Sequence, residues 1–284
     1  TNDNTMTPVL ANNAGVSSFT KAGTGKWVMK AANTYTGITT VSGGILNVGD
    51  GSDALAALGS NTVSIATGTT LNFNHNAAVT VANAISGLGQ LNKLDTYTLT
   101  LTGVNSYTGA TGTGSAGGVV FANNTAPATS GFTGSGAVTI EPSTTSFGSL
   151  VTGNYTYANT LTGLTLGKAG NLTNVTLNSL VDIAGPITVY APQITVSQAL
   201  NSGAGLVLHG ASVLNGGSIS TVGAQTYDGA VTLGAATTLS SSGSGAITFG
   251  STLNGAYTLA VNTSGATTFT GAVGGTAALT SVTT

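Results

Sequence analysis

The 284 residues contain no cysteine and no arginine, only 5 prolines, and so few charges (5 Lys and 7 Asp+Glu, 4% in all) that an ordinary globular enzyme surface is excluded. Without cysteine neither a disulfide framework nor a thiol site can be built, so the chain carries no redox signature of its compartment. Arginine is the side chain best suited to bidentate recognition of phosphate and bases. With only Lys21, Lys26, Lys30, Lys93 and Lys168 as cations, nucleic acid is not an expected partner. No apolar run approaches the roughly 18 residues of a membrane helix, and Thr1 opens neither a charged nor an apolar leader region. The expectation is a soluble chain, either processed or excised from a longer one.

What is present argues for folding. Apolar residues make up 40% and mean hydropathy is +0.32, whereas disorder needs weak hydrophobicity with high charge. Short alternating runs recur throughout: Thr69–Phe73, Val79–Val81, Thr98–Leu101, Val138–Ile140, Ile187–Val189, Ile194–Val196 and Tyr257–Val261. Each reads as a half-buried strand. Between them stand Gly, Asn and Ser clusters such as Ser42-Gly-Gly44, Gly216-Gly-Ser218 and Ser242-Gly-Ser-Gly245, which turn the chain. The best helical candidate, Ala54–Leu58, is confined by Gly51 and Gly59 to about one turn.

The C-terminal third repeats visibly. Ala246–Gly255 aligns with Ala266–Gly275 at an offset of 266 − 246 = 20 residues, and Tyr257–Leu259 maps onto Ala277–Leu279 at the same offset. Gly134–Ile140 is a more distant copy of Gly243–Phe249. A period near 20 holding two or three short strands is too short for a propeller blade and too strand-rich for a helical solenoid. It predicts an all-β, right-handed parallel β-helix with coils of about 20–22 residues. One continuous solenoid over 1–284 would have roughly 13–14 coils and a length on the order of 65 Å. Stacking also explains the missing charge, since like charges one above another repel while Thr, Ser and Asn form ladders.

Residues Lys21-Ala-Gly-Thr-Gly-Lys-Trp27, Asn33-Thr-Tyr-Thr-Gly37 and Thr39-Thr-Val-Ser-Gly-Gly-Ile-Leu-Asn-Val-Gly49 resemble the passenger-associated repeat of bacterial autotransporters. The pattern continues through Leu58–Ile65 and returns as Gly87-Leu-Gly89, Asn105-Ser-Tyr-Thr-Gly109 and Gly117-Gly-Val119, so that 21–121 is passenger-like. From Gly185 on, Gly185–Val196 and the 20-residue repeats of 185–284 resemble filamentous-haemagglutinin-like exoproteins of two-partner secretion. The resemblance implies a β-helix exported through an outer-membrane pore to the surface of a Gram-negative cell, acting as adhesin, stalk, spacer or matrix filament. It implies no ligand.

Chemistry is sparse. Gly112-Thr-Gly-Ser-Ala-Gly117 spells a dinucleotide fingerprint but lacks the following helix, so it reads as a loop. Only His75 and His209 offer imidazole, and no serine sits in a nucleophile elbow, which leaves few builders for a Ser-His-Asp triad. His75 is expected to end a strand in an Asn-rich turn, and His209 to occupy one face of Leu206–His209. Asp50 and Asp53 form the one close carboxylate pair and are read as turn-formers rather than a calcium loop. Asp95, Glu141, Asp182 and Asp228 are scattered, and glycoside cleavage needs two carboxyls about 5–10 Å apart. Five Asn-x-Ser/Thr acceptors, at Asn123, Asn154, Asn171, Asn174 and Asn262, are read as by-products of Thr-rich composition. Trp27, Tyr35, Tyr107, Tyr155, Tyr157 and Tyr190 would form a sugar-stacking strip only if they face outward, and core packing is the favoured reading.

The expectation is therefore a non-enzymatic surface exoprotein segment with no catalytic, cofactor-binding or metal-binding residue and no cofactor. Its expected partners are further copies, end to end or lateral, surface glycans, and an outer-membrane pore during export. With no capping helix legible at Thr1 or Thr284, the chain is expected to be part of something longer or to join end to end. The rival from another class is a β-helical lyase or glycosidase, with Asp182 or Asp228 beside a second carboxylate.

Overall fold

The computed structural model describes residues 3–148, 150–152 and 155–284, which form two compact units, 1–143 and 144–284. Among the described residues there is no helix, and the paired strands are parallel.

In the first unit each coil is three-sided. One side stacks Asn4–Met6, Lys26–Met29, Ile45–Val48, Thr70–Phe73, Gln90–Lys93, Thr111–Gly112 and Gly131–Thr133. The next side along the chain stacks Val79–Val81, Thr98–Leu101, Gly118–Ala122 and Ala137–Glu141. The third stacks Phe19–Lys21, Thr39–Val41, Val63–Ile65 and Ile85–Gly87. The register gives the coil length directly: Lys26 pairs with Ile45, a step of 45 − 26 = 19, and Ile45 with Thr70, a step of 70 − 45 = 25. Coils thus range more widely than the sequence period suggests, because corners absorb insertions while the strands keep register. The longest coil carries its extra residues around Asp50–Leu58, where the expected helical turn is absent. Ala57 instead bridges Ala32, and Leu55 is exposed.

The second unit is three-sided as well. One side runs through Leu164–Leu166, Gln225–Tyr227, Ile247–Phe249 and Thr267–Phe269, another through Val175–Leu177, Val231–Leu233 and Leu253–Asn254. The long strands Ile187–Val196 and Leu206–Leu214 belong to both, turning the corner with a register shift between Tyr190 and Gln193. The third side stacks Val181–Ile183, Leu200–Ser202, Ser218–Thr221, Thr237–Ser241, Thr258–Thr263 and Ser281–Thr283. The 20-residue repeat holds where Ile247–Phe249 pairs with Thr267–Phe269. It fails for the second strand of the period. Leu259 pairs with Val282, a step of 282 − 259 = 23, and Ala277–Leu279 lies outside any strand, because the chain turns at Gly274 with φ 73° before it can pair.

Alternation fills the core. Leu46, Leu71 and Leu91 stack in register, as do Leu208, Tyr227 and Phe249, all buried. Each such large apolar side chain contributes roughly 1.5–3 kcal/mol. The core is not purely small and aliphatic. Tyr227, Phe249 and Phe269 form a near-parallel ring stack, with centroids 5.2 and 5.0 Å apart. Polar ladders occur too: Asn72 Nδ2 donates to Asn47 Oδ1 at 2.8 Å and Asn92 Nδ2 to Asn72 Oδ1 at 3.2 Å. Gln225 is fully buried between Leu206 and Ile247 of the neighbouring coils, donating to the Ser240 carbonyl at 2.8 Å and accepting the Tyr227 hydroxyl at 2.9 Å. A buried amide so paired costs little.

Candidate functional site

The motif Lys21…Asn33-Thr-Tyr35-Thr-Gly37-Ile-Thr39 returns as Lys93…Asn105-Ser-Tyr107-Thr-Gly109-Ala-Thr111, every position shifted by 93 − 21 = 72. In space the second copy is rotated by one side of the coil. Thr39 lies in the stack of Phe19–Lys21, whereas Thr111 lies in the stack of Gln90–Lys93. What repeats is therefore one corner and its flanking strands. It is independent of the side it occupies. Two bonds are common to both copies. Tyr35 pairs with Thr39 and Tyr107 with Thr111, hydroxyl to hydroxyl, each at 2.7 Å inside the core. Asn33 and Asn105 donate to the carbonyls of Ala31 and Gly103 at 3.1 and 2.8 Å, turning the chain two residues earlier.

The two motif lysines are buried cations in cages of carbonyls. Lys21 Nζ donates to Ala22, Gly23 and Gly43 at 2.9, 2.8 and 2.7 Å. Lys93 Nζ donates to Asp95 and Ala116 carbonyls at 2.6 and 2.7 Å and lies 3.4 Å from the Asp95 carboxylate. Burial holds both ammonium groups below the ordinary lysine range. Glycines 37 and 109 are required for space: a Cβ at Gly109 would run into the Gly89 carbonyl of the preceding coil, and one at Gly37 into Ser17. Gly109→Ala is expected to cost about 1–3 kcal/mol, as overpacking does, measured as a lowered urea midpoint with unchanged slope.

The carboxylate pair Asp50 and Asp53 is held by Lys30, whose Nζ lies 2.8 and 3.4 Å away. That ammonium, with the Ser52 hydroxyl at 2.6 Å, holds the Asp50 carboxyl well below the usual carboxylate range. An ammonium thus takes the place a divalent ion would need. Millimolar calcium is expected to leave the melting temperature unchanged, and differential scanning fluorimetry checks it. Among the described residues no three His, Asp or Glu side chains gather as a metal site. Lys26 pairs with Asp3 at 2.5 Å, and the Lys168 carbonyl closes a turn with the Asn171 N–H. Glu141 ends a strand and Asp182 is exposed, in register with Asn201. Gly112–Gly117 closes strand Thr111–Gly112 and forms the loop to Gly118–Ala122.

Aromatic placement follows the core reading for Tyr35, Tyr107 and Tyr155, while Trp27, Tyr157 and Tyr190 are half-buried. Of the glycosylation triplets, Asn154 lies outside the described residues. Asn171 is buried with its amide donating to the Tyr190 carbonyl at 2.7 Å, and Asn123 donates to Thr102 at 2.8 Å.

One column concentrates binding chemistry on the surface of the second unit. Thr165, Thr188, Val207, Thr226, Thr248 and Thr268 stack in register on the outer face. Two residues along, at the corner, Tyr190 stacks on His209 with centroids 4.4 Å apart and planes 11° apart, and His209 Nδ1 lies 2.5 Å from Asp228 Oδ2. Sequence reading placed these three residues separately, and only the 19-residue steps bring them together: 209 − 190 and 228 − 209. The column offers an aromatic ring, an imidazole and a carboxylate to solvent. It does not pair two carboxyls, since Asp182 lies on another side of the coil.

Residues 19–48 and 91–112 match the passenger-associated-transport-repeat family. A stretch of 44 residues, 16% of this chain, is 48% identical to the Adhesin BmaC autotransporter of Brucella suis biovar 1 (strain 1330), of which it spans 1%. No solved structure matches the chain significantly. The two matched segments are the two copies of the rotated corner motif. They are autotransporter passenger repeats, which belong outside the cell, at the surface of a Gram-negative bacterium.

Proposed function

We propose that the chain is a non-enzymatic spacer segment of an exported surface adhesin, passed through an outer-membrane β-barrel and serving as stalk or filament by stiffness. The observation that supports this reading is the parallel pairing of strands from coil to coil within each unit. Backbone hydrogen bonds there run along the stacking direction, so each coil resists separation from its neighbours and depends on nothing more distant. The motif residues are spent on that stacking: buried lysines, tyrosines and glycines hold corners and leave no reactive group exposed.

Single-molecule pulling on residues 1–284 between handles tests it. Extension is expected in steps of one coil, on the order of 70 Å of contour for about 20 residues. Release of a whole unit at low force without such steps would count against a spacer. The enzymatic rival predicts turnover of bacterial or plant polysaccharides. New reducing ends that disappear in Asp228→Asn would establish that rival instead. Glycan contact without turnover is a second reading, supported by the outward Tyr190–His209–Asp228 column, and a glycan array with Tyr190→Ala as control tests it.

A further inference from the structure

The outer column at the Tyr190 corner of the second unit is bounded at both ends. Tyr190 and His209 are in register, and the Asp228 N–H donates to the Leu208 carbonyl at 3.1 Å, so the three side chains stand on successive coils about 4.8 Å apart. One step below, the register of Leu166 with Val189 brings Gly167 under Tyr190, and one step above, that of Tyr227 with Phe249 brings Gly250 over Asp228. Ring, imidazole and carboxylate therefore form a patch on the order of 10 Å long, which no side chain continues at either end. The backbone beneath it is fixed. Buried Asn171 donates to the Tyr190 carbonyl at 2.7 Å and to that of Thr173 at 2.9 Å, and the Ala191 carbonyl fills the space where a Cβ at Gly210 would stand. A site held in this way loses little freedom on binding.

The polar atoms of the patch are open to water. The His209 side chain is 35% exposed and that of Asp228 48%. A carboxylate can only accept, so in the neutral imidazole the proton is on Nδ1, inside the 2.5 Å bond to Asp228 Oδ2, and Nε2 is a lone pair. That nitrogen is not buried, and among the described residues no protein group bonds it. The same holds for Asp228 Oδ1 and the Tyr190 hydroxyl. Two of the three positions are thus free acceptors, beside one aromatic ring.

With glycan contact at this column as its premise, we propose that the ligand class is an uncharged di- or trisaccharide, one pyranose lying against Tyr190 and hydroxyls donating to His209 Nε2 and Asp228 Oδ1. Hydroxyls are the donors both acceptors lack, and the C–H face of a pyranose matches an aromatic ring. An acidic sugar would bring its carboxylate to a patch that already holds one. A divalent cation does not fit: Asp228 serves the Nδ1 side of the ring, so its carboxylate and Nε2 do not converge on one ion, and among the described residues no third ligand joins them. The rival is set by Lys168, whose ammonium has no partner among the described residues and which follows Gly167 at the end opposite Asp228. An acidic ring drawn to it would leave both acceptors unused.

The test is titration of residues 1–284 with galactotriose and mannotriose and with the matching acids, trigalacturonic and trimannuronic acid, followed by the ¹⁵N resonances of the histidine rings. A neutral trisaccharide is expected to saturate, to bind at least about tenfold tighter than its acid, and to move His209 Nε2 while His75, 1% exposed, stays in place. Asp228→Asn removes the repelling charge and is expected to narrow the gap between neutral and acidic forms to within about threefold. His209→Phe keeps a ring against Tyr190 but no acceptor, and is expected to weaken the neutral ligand about fivefold. Both side chains reach the surface, so neither variant opens the core. Saturation in which the acids bind equally or tighter, or in which His209 does not move, leaves glycan contact in place and overturns the hydroxyl-acceptor chemistry. Absence of saturation by every one of these sugars overturns both.

Discussion

Phe249→Ala is expected to destabilise the second unit by about 3–5 kcal/mol. The side chain is fully buried and is the middle ring of three, with Tyr227 below and Phe269 above at nearly parallel planes of 11° and 5°. Its removal deletes two ring contacts, each worth about 0.5–1.5 kcal/mol beyond area, and leaves a void. The void persists because the backbones around it are fixed: Gln225–Tyr227, Ile247–Phe249 and Thr267–Phe269 are tied in register on both sides. For a unit of this size the melting temperature should fall by about 10 °C. The solenoid adds a spatial signature. Since each coil contacts only its neighbours, amide exchange should accelerate around 225–227, 247–249 and 267–269 and remain unchanged in the first unit. Thr248→Ala, on the outer face of the same strand, should stay within about 0.5 kcal/mol. Equal effects of the two substitutions, or a loss of protection spread evenly over the chain, would contradict this account.

The stack also shows what the residue order does and does not reveal. Alternation at Ile247-Thr-Phe249 and its copy at 267–269 identified the strand, its inward face and its partner without coordinates, because a period of two and an offset of 20 are local properties. Tyr227 was not legible as the third ring: its coil is longer, 247 − 225 = 22, and the difference is hidden in a corner. The same holds for the surface column. Tyr190, His209 and Asp228 acquire meaning only when corner lengths are known, since one residue more or fewer would turn a side chain to the opposite face. Lys30 could not be assigned to Asp50 and Asp53 from the sequence either, because it reaches them across a coil step. Ala277–Leu279 misled for the mirror-image reason: similarity to Tyr257–Leu259 is genuine, but the turn at Gly274 delays pairing to Ser281–Thr283. Strand chemistry is written locally, whereas corner length sets which residues meet.

Lys93→Met should cost about 3–5 kcal/mol at neutral pH, the magnitude typical of breaking a buried, hydrogen-bonded ion pair. The thioether keeps much of the volume of the stem but donates nothing, so the carbonyls of Asp95 and Ala116 lose their partner and the Asp95 carboxylate keeps only the N–H groups of His75 and Tyr97, each at 2.9 Å. Those bonds link three successive stretches, 73–75, 93–97 and 114–116, so the variant should loosen the corner as a whole. The pH dependence separates charge from packing. Burial holds the Lys93 ammonium below its ordinary value, so between the folded value and about 10.5 the unfolded chain binds more protons, and wild-type stability rises with pH in that window. Lys93→Met lacks this titration. Buried Tyr155, pushed up to about 12, and Tyr227, raised further, act oppositely above pH 10, where the unfolded chain loses phenolic protons that the folded one retains. Both tyrosines are common to the two proteins and cancel in the difference. The stability gap between wild type and Lys93→Met, from urea midpoints at successive pH values, should therefore widen steadily as pH approaches 10.5. A gap that narrows over that range would mean that Lys93 is better stabilised as an ammonium in the folded corner than in water, contrary to the burial argument.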